Sequence, residues 1–359
     1  MRKVLLASLV LILLAFFCVS CGNESKPVVP PQVNAVGFLR EVAGQNFMLT
    51  PILGKFVTTG GNTQFTTTVV KDPNTGETLE AEIYSIILSA DGKKATFDMY
   101  GGTADNPQSQ WDIFVANADG TGLVQVTNDQ TEDSMPQLSP DGSKVIYTAY
   151  VCDGFCGNHL VSRKVDGTSP QEIPLPPGAE DAWAPTYSPD GSKIAVEVWG
   201  YNETVGEFDG MFVMNADGTN PQMLTNPWAT ADAWDETPSF TKDGNQIVFS
   251  REDYSGETFT EHIYIMNVDG TNVTQLTSGT TINGDPLMLG DRLLFNSNRD
   301  NLSSPRGTGF ELYTMNTDGS VVTRLTNNTL YDGFAGEYYE PELSVAQHRQ
   351  HNQAKKLHH

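Results

Sequence analysis

The sequence predicts an all-β fold, a six-bladed β-propeller of four-stranded antiparallel blades. Three observations lead there. Asp-Gly pairs recur in two interleaved series, the segments between them alternate apolar and polar residues, and each series advances by about fifty residues per step. The first series runs Ser89-Ala90-Asp91-Gly92, Ser139-Pro140-Asp141-Gly142, Ser188-Pro189-Asp190-Gly191 and Thr241-Lys242-Asp243-Gly244, with Gly290-Asp291 as a degenerate member. The second runs Asn117-Ala118-Asp119-Gly120, Lys164-Val165-Asp166-Gly167, Asn215-Ala216-Asp217-Gly218, Asn267-Val268-Asp269-Gly270 and Asn316-Thr317-Asp318-Gly319. Two tight turns per period mean one supersecondary unit copied along the chain.

Taken in order, residues 1–20 read as a signal peptide. Arg2 and Lys3 form a basic start, and Val4 to Phe17 is an apolar run too short for a spanning helix. The run ends in Cys18-Val19-Ser20-Cys21-Gly22, which resembles a bacterial lipobox, with Cys18 where Leu is usual. That resemblance implies a lipid on Cys21; cleavage as an ordinary secretory signal is the other reading. Residues 21–34, with Lys26-Pro27 and Pro30-Pro31 and no apolar period, are expected to be a flexible spacer.

Residues 35–345 are expected to form the propeller. Each unit reads strand, Ser-Pro-Asp-Gly turn, strand, variable loop, strand, Asn-x-Asp-Gly turn, strand. Proline presets φ in the first turn and glycine supplies the left-handed residue that closes the hairpin. Five copies begin near Glu82, Asp133, Asp181, Asp235 and Asp285. A sixth blade is expected from three N-terminal strands (Val36 to Leu39, Phe47 to Leu49, Phe65 to Val69). One C-terminal strand within Glu337 to Ser344 would join them and close the ring. Residues 346–359, with His348, His351, His358 and His359, read as a disordered tail.

Pro185 to Lys193, Met214 to Asn220 and Leu224-Thr225-Asn226 together resemble the TolB-type (WD-like) propeller repeat. The resemblance covers nearly all of the chain beyond the spacer and implies an architecture; one fold hosts many functions. TolB-type proteins carry a further N-terminal α/β domain, and here only the spacer stands in that place.

The chain holds 44 acidic against 21 basic residues, a net charge of −23. Such a surface repels phosphate backbones, so nucleic acid is not an expected partner, and a lipid on Cys21 is the only expected membrane attachment. Cys152 and Cys156 flank Asp153-Gly154-Phe155, and a disulfide across a hairpin tip is expected over a metal half-site. An oxidising, extracytoplasmic location follows: the cell envelope, with the outer membrane favoured over other sites there.

The Asp-Gly turns all fall on one face of the propeller. Variable loops and blade-to-blade connections fall on the other, where function is expected. All five Trp belong there: Trp111, Trp183, Trp199, Trp228 and Trp234, with Tyr338 and Tyr339, and with Tyr201, Phe208, Tyr254, Tyr331 and Phe334 beside them. These rings either form a contact surface for a protein, peptide or sugar or pack between blades. Acids precede the first-strand prolines: Glu132, Asp133, Asp181, Asp235, Asp285 and Glu337. At the channel mouth they either hold Ca²⁺ or a cationic group, or hydrogen-bond neighbouring loops. No cofactor beyond that Ca²⁺ is expected.

Catalytic motifs are missing from the sequence. It has no Gly-x-Ser-x-Gly elbow, and only His159 and His262 lie within the repeats. The expected role is therefore a monomeric scaffold binding an envelope protein or peptide. The alternative is a carbohydrate-binding or glycan-acting propeller that uses the channel-mouth carboxylates.

Overall fold

A computed structural model of the chain describes strands at residues 35–40, 55–58, 61–64, 69–71 and 78–80, and then residues 82–333. Within the latter, 90–92, 103–106, 118–121, 153–155, 257, 303–308 and 327–331 are left out. Every described element belongs to the unit Asn34–His359. The expected leader, lipidated Cys21, spacer, tail, Glu337, Tyr338, Tyr339, Tyr331 and Phe334 lie outside the described residues.

The described residues are all-β apart from one 3₁₀ turn at Pro227–Ala229. Five short strands come first: β1 (Ala35–Arg40), β2 (Lys55–Thr58), β3 (Gly61–Gln64), β4 (Val69–Lys71) and β5 (Thr78–Glu80). Blade 1 is β6 (Glu82–Leu88), β7 (Lys94–Gly102), β8 (Pro107–Asn117) and β9 (Val124–Gln125). Blade 2 is β10 (Glu132–Leu138), β11 (Lys144–Cys152), β12 (Cys156–Lys164) and β13 (Gln171–Ile173). Blade 3 is β14 (Ala179–Tyr187), β15 (Lys193–Asn202), β16 (Gly206–Asn215) and β17 (Gln222–Met223). Blade 4 is β18 (Ala233–Phe240), β19 (Gln246–Asp253), β20 (Thr260–Asn267) and β21 (Thr274–Gln275). Blade 5 is β22 (Asn283–Leu289), β23 (Arg292–Ser297), β24 (Glu311–Asn316) and β25 (Thr323–Arg324), followed by β26 (Asp332–Gly333). In each blade the strands pair antiparallel in chain order.

The expected count of six blades is corrected to five. Blades form where the paired Asp-Gly turns occur, and the N-terminal segment carries neither turn. Its strands instead make a shorter sheet of order β26-β1-β2-β3, in which β26 contributes two residues, paired as Leu39↔Gly333 and Arg40↔Asp332. Of the three strands expected there, the first is β1, and Val69, the end of the third, opens β4. The segments 47–49 and 65–68 lie outside the described residues. The pairing of β2 with β3, around a two-residue connection, had no counterpart among the expected strands.

The turns explain the repeat motifs. In blade 2, Asp141 Oδ1 accepts from Ser139 Oγ at 2.6 Å and from Ser143 N at 3.0 Å, while Gly142 at φ +67° donates its N–H to Ser139 O. Asp190 in blade 3 and Asp243 in blade 4 repeat this pattern. In the second series Asp217 accepts from Thr219 N and Oγ1. The Leu-Thr-Asn motif has its own task. The Thr225 hydroxyl accepts the N–H of Met211 at 3.1 Å, and Thr127, Thr277 and Thr326 do the same in their blades.

Each first strand carries a bulge. The pairing shifts register between Ser134 and Gln137, Trp183 and Thr186, Glu236 and Ser239, and Gly284 and Leu287. At each, the residue before proline takes a positive φ: Met135 +52°, Ala184 +46°, Thr237 +50° and Asp285 +48°. Proline cannot donate to a ladder, so a strand tolerates it where a bulge has already broken the pairing. The bulge re-aims the side chains just before it, and those are the acids.

Blades pack face to face through shared apolar layers. Ile146 and Leu160 of blade 2 bury against Ile194, Val196 and Phe212 of blade 3. Val213 of blade 3 meets Ile247 and Phe249 of blade 4, and Ile263 of blade 4 meets Leu293 and Phe295 of blade 5. The first strands of successive blades also abut one another, which carries their acids to the inner side of the molecule.

Candidate functional site

Strand alternation places Asp181 and Trp183 of β14 on one face of blade 3, opposite Trp199 and Glu197 of β15. The next strand sets Asp209 across from Trp199 and Met211 across from Glu197. This end of the blade leads into the β15–β16 loop, where Tyr201 is 58% exposed. Burial raises the Glu197 carboxyl well above its ordinary value, and the charges of Asp209, Glu252, Asp235 and Asp181 push it further in the same direction. Both indoles are half-buried. Two rings therefore frame a group of carboxylates at the junction of blades 3 and 4.

A second aromatic group lies alongside. The Trp228 ring, on the 3₁₀ turn, stands 5.1 Å from that of Trp234, which meets Tyr254 edge-on at 5.2 Å. Tyr254 in turn contacts Phe259 at 4.7 Å and donates from its hydroxyl to Glu252 at 3.0 Å. Trp111 is apart from these, packed at 5.6 Å on Tyr100 in blade 1. Phe208 and Tyr254 are buried, so both serve packing, whereas Tyr201 and Tyr150 stand exposed at the hairpin tips of blades 3 and 2. The structure brings the Trp228 and Trp234 rings together, sets Trp183 and Trp199 at diagonal positions of β14 and β15, and places Trp111 in blade 1.

The first-strand acids divide by partner. Asp235 is fully buried and receives a bidentate pair from Arg251, Nε to Oδ1 at 2.5 Å and Nη2 to Oδ2 at 2.7 Å. Asp285 is buried and accepts from Asn296 Nδ2 at 2.6 Å. Half-buried Asp181 reaches back one blade to accept from Asn158 N at 2.7 Å; desolvation raises its pKa. Asp133 is fully buried, with one oxygen on Thr131 Oγ1 at 2.9 Å and the other, Oδ2, without a partner. Desolvation, reinforced by the charge of Asp129, lifts its pKa from 3.8 to about 7. Glu132 is exposed, and partial desolvation raises it. Hydrogen bonding to neighbouring strands thus accounts for most of these carboxylates. Among the described residues, no group of three or more His, Cys, Asp or Glu is arranged to hold a metal ion.

Sequence reasoning overlooked the acids inside second and third strands. Asp98, Asp112 and Asp209 are buried, and Glu197 sits between the buried Val196 and Val198. An acid flanked by apolar residues within a strand, as in Phe97-Asp98-Met99 and Val196-Glu197-Val198, was the available signal. Asp98 accepts from Ser85 N and Ser85 Oγ and, across the blade junction, from Met135 N at 2.9 Å. Desolvation still raises it to about 6. The expected disulfide joins Cys152 to Cys156, directly opposed at the tip of the β11–β12 hairpin.

On the turn face, a cavity of about 400 Å³ lies between blades 2 and 3, lined by Asp141, Asp190, Lys144, Tyr187 and Ser162. Asp141 and Asp190 are held at about 2 by the serine hydroxyls and amides of their own turns.

Repeated four-stranded blades with bulged first strands, paired Asp turns and interblade apolar layers define a β-propeller. Solved structures similar to the chain include a TolB-type protein from Agrobacterium tumefaciens, at 20% identity and TM-score 0.52, covering 76% of this chain and 89% of that one. TolB from Acinetobacter baumannii is similar at 13% identity and TM-score 0.58, over 84% of this chain and 65% of that one. Hydrazine synthase from Kuenenia stuttgartiensis matches at 14% identity and TM-score 0.59, over 86% of this chain and 48% of that one. At these identities the likeness is one of fold. No family model matches the chain, and no curated protein matches it in sequence.

Proposed function

We propose that the protein is an extracytoplasmic propeller that binds a protein or peptide through the variable-loop face of blades 3 and 4. The observation that carries this reading is the paired-indole arrangement there: Trp183 and Trp199 around Glu197, with Trp228 and Trp234 beside Glu252. Large rigid rings supply much of the contact energy in interfaces, and adjacent carboxylates select a cationic or hydrogen-bond-donating segment. Residues 1–20 as signal, a lipid on Cys21 and a spacer to residue 34 would hold the propeller at an envelope membrane. The Cys152–Cys156 disulfide supports an oxidising compartment. No helix among the described residues is long and apolar enough to cross a membrane.

Affinity capture from detergent-solubilised envelopes tests the reading, with wild type set against Trp183→Ala and Trp234→Ala. The expected result is a partner retained by wild type and reduced at least about tenfold by either variant, a loss of about 1.4 kcal/mol. Equal capture by all three removes the aromatic face from consideration. Mass spectrometry of the mature N-terminus tests the anchor: an unmodified start away from Cys21 refutes it.

The glycan-acting reading draws on one observation, the raised Glu197 beside Asp209, because glycoside hydrolysis needs a protonated acid near a second carboxylate. Turnover of an envelope polysaccharide by wild type, abolished in Glu197→Gln, would favour it over simple binding.

A further inference from the structure

The junction between blades 1 and 2 carries an unbalanced set of buried charges. Asp112 of β8 and Asp133 of β10 are both fully buried. Asp112 accepts from Thr127 Oγ1 and Gln125 Nε2, each at 3.1 Å. Asp133 has Thr131 Oγ1 on one oxygen and nothing on the other. The cation nearby, Arg163 of β12, is engaged elsewhere. Its Nη2 donates to Asp129 Oδ2 at 3.1 Å and its Nη1 to Val126 O at 3.2 Å, and its Nε is buried without a partner.

Around the pair are Asp129 of the connecting segment, Tyr147 of β11 and, beyond it, Arg163 of β12, while Asp98 of β7 reaches the same junction by accepting from Met135 N. Three carboxylates (Asp112, Asp129 and Asp133) thus lie within reach of one another's charge, and Arg163 pairs with just one of them, Asp129. A buried carboxylate oxygen with no donor costs several kcal/mol when charged, and a proton removes that cost. Neighbouring acids that cannot both ionise titrate as a pair.

We propose that Asp112 and Asp133 take up a proton from solvent and form a latch between blades 1 and 2, closed when protonated and loosened when the proton leaves. The proton settles on Asp133 Oδ2, the oxygen with no hydrogen-bond donor, and removes the cost of burying it charged. Its loss places a second negative charge at a junction where, among the described residues, the cation nearby, Arg163, is already paired. The upward displacement of both groups to about 7, by desolvation in each case, sets the working range near neutrality. Blade 4 holds the contrasting arrangement, because Arg251 satisfies Asp235 permanently.

The test is a ¹³C-carboxyl NMR titration of the full chain labelled at aspartate, read beside hydrogen exchange over residues 124–135. Beside Asp98, expected near 6, two further carboxyls are expected to titrate near 7. Asp133→Asn should remove one of them and lower the other by about one unit or more, and Asp112→Asn should do the reverse. After correction for intrinsic rates, protection of 124–135 is expected to fall about tenfold from pH 5.5 to pH 8 in wild type and to stay level in either variant. Two carboxyls titrating below about pH 5 would overturn the latch. So would protection restored at pH 8 by millimolar Ca²⁺, since the pair would then be a cation site. If one variant fails to fold, the wild-type titration and the other variant still decide the matter.

Discussion

Asp133 and Asp235 occupy the same place in the repeat, three residues before a first-strand proline, and both are fully buried. Their surroundings differ. Asp235 meets a guanidinium in bidentate geometry; Asp133 meets a threonine hydroxyl and leaves an oxygen unsatisfied. The bulge that precedes proline aims both carboxylates inward, so the fold fixes position and the neighbours decide charge. One residue accounts for the contrast: Arg251, which sits across from Asp235 on β19, whereas Ala149 sits across from Asp133 on β11. A repeated motif therefore does not imply a repeated role.

The largest effect expected of this comparison is from Arg251→Ala. It strands a buried carboxylate and removes a guanidinium packed 4.9 Å over the Tyr264 ring, costing about 3–5 kcal/mol by urea denaturation. Asp133→Asn should act in the opposite sense above neutral pH. The Asp133 and Asp112 pKa values lie above the ordinary 3.8, so the native state holds protons that the unfolded chain has released. Their contribution makes stability fall as pH rises from about 4 to about 7 and level off above that. Asp133→Asn should flatten this slope and, at pH 8, stabilise by about 1–3 kcal/mol in the same urea assay.

Smaller effects are expected on the turn face. Gly142→Ala forces a side chain onto φ +67° in open space, a backbone cost of about 1 kcal/mol on thermal unfolding. Gly218→Ala should cost more than that, because its Cβ would lie 2.7 Å from Pro174 O. Least of all is Lys242→Ala. Its ion pair with Asp291 is 3.0 Å long but exposed on both sides, and loss of less than about 0.5 kcal/mol is expected.

These contrasts show how far the sequence could be read. The Asp-Gly turns were legible because the Asp side chain and the left-handed glycine are local chemistry, and all five blades follow from them. The Cys152–Cys156 bridge was legible for the same reason, since four residues of separation force a hairpin tip. The sixth blade was not. Apolar alternation in Val36 to Leu39 correctly marks a strand, but alternation without the paired turns does not specify a blade, and the segment forms a shorter sheet. At the site, the first-strand acids and the indoles were visible as types. Which carboxylate would be paired was hidden, because Arg251 comes from the next strand and Asp112 from the preceding blade. Glu197 and Asp98 were masked by their apolar flanks, which advertise core.

The most direct test of the claim that neighbours decide what each buried repeat acid does is a paired urea denaturation at pH 8 of Asp133→Asn and Arg251→Ala, each against wild type. Opposite signs are expected: a midpoint at or above wild type for Asp133→Asn, and one well below it for Arg251→Ala. Equal destabilisation by both variants would contradict it, since the two carboxylates would then be equivalent parts of a repeat.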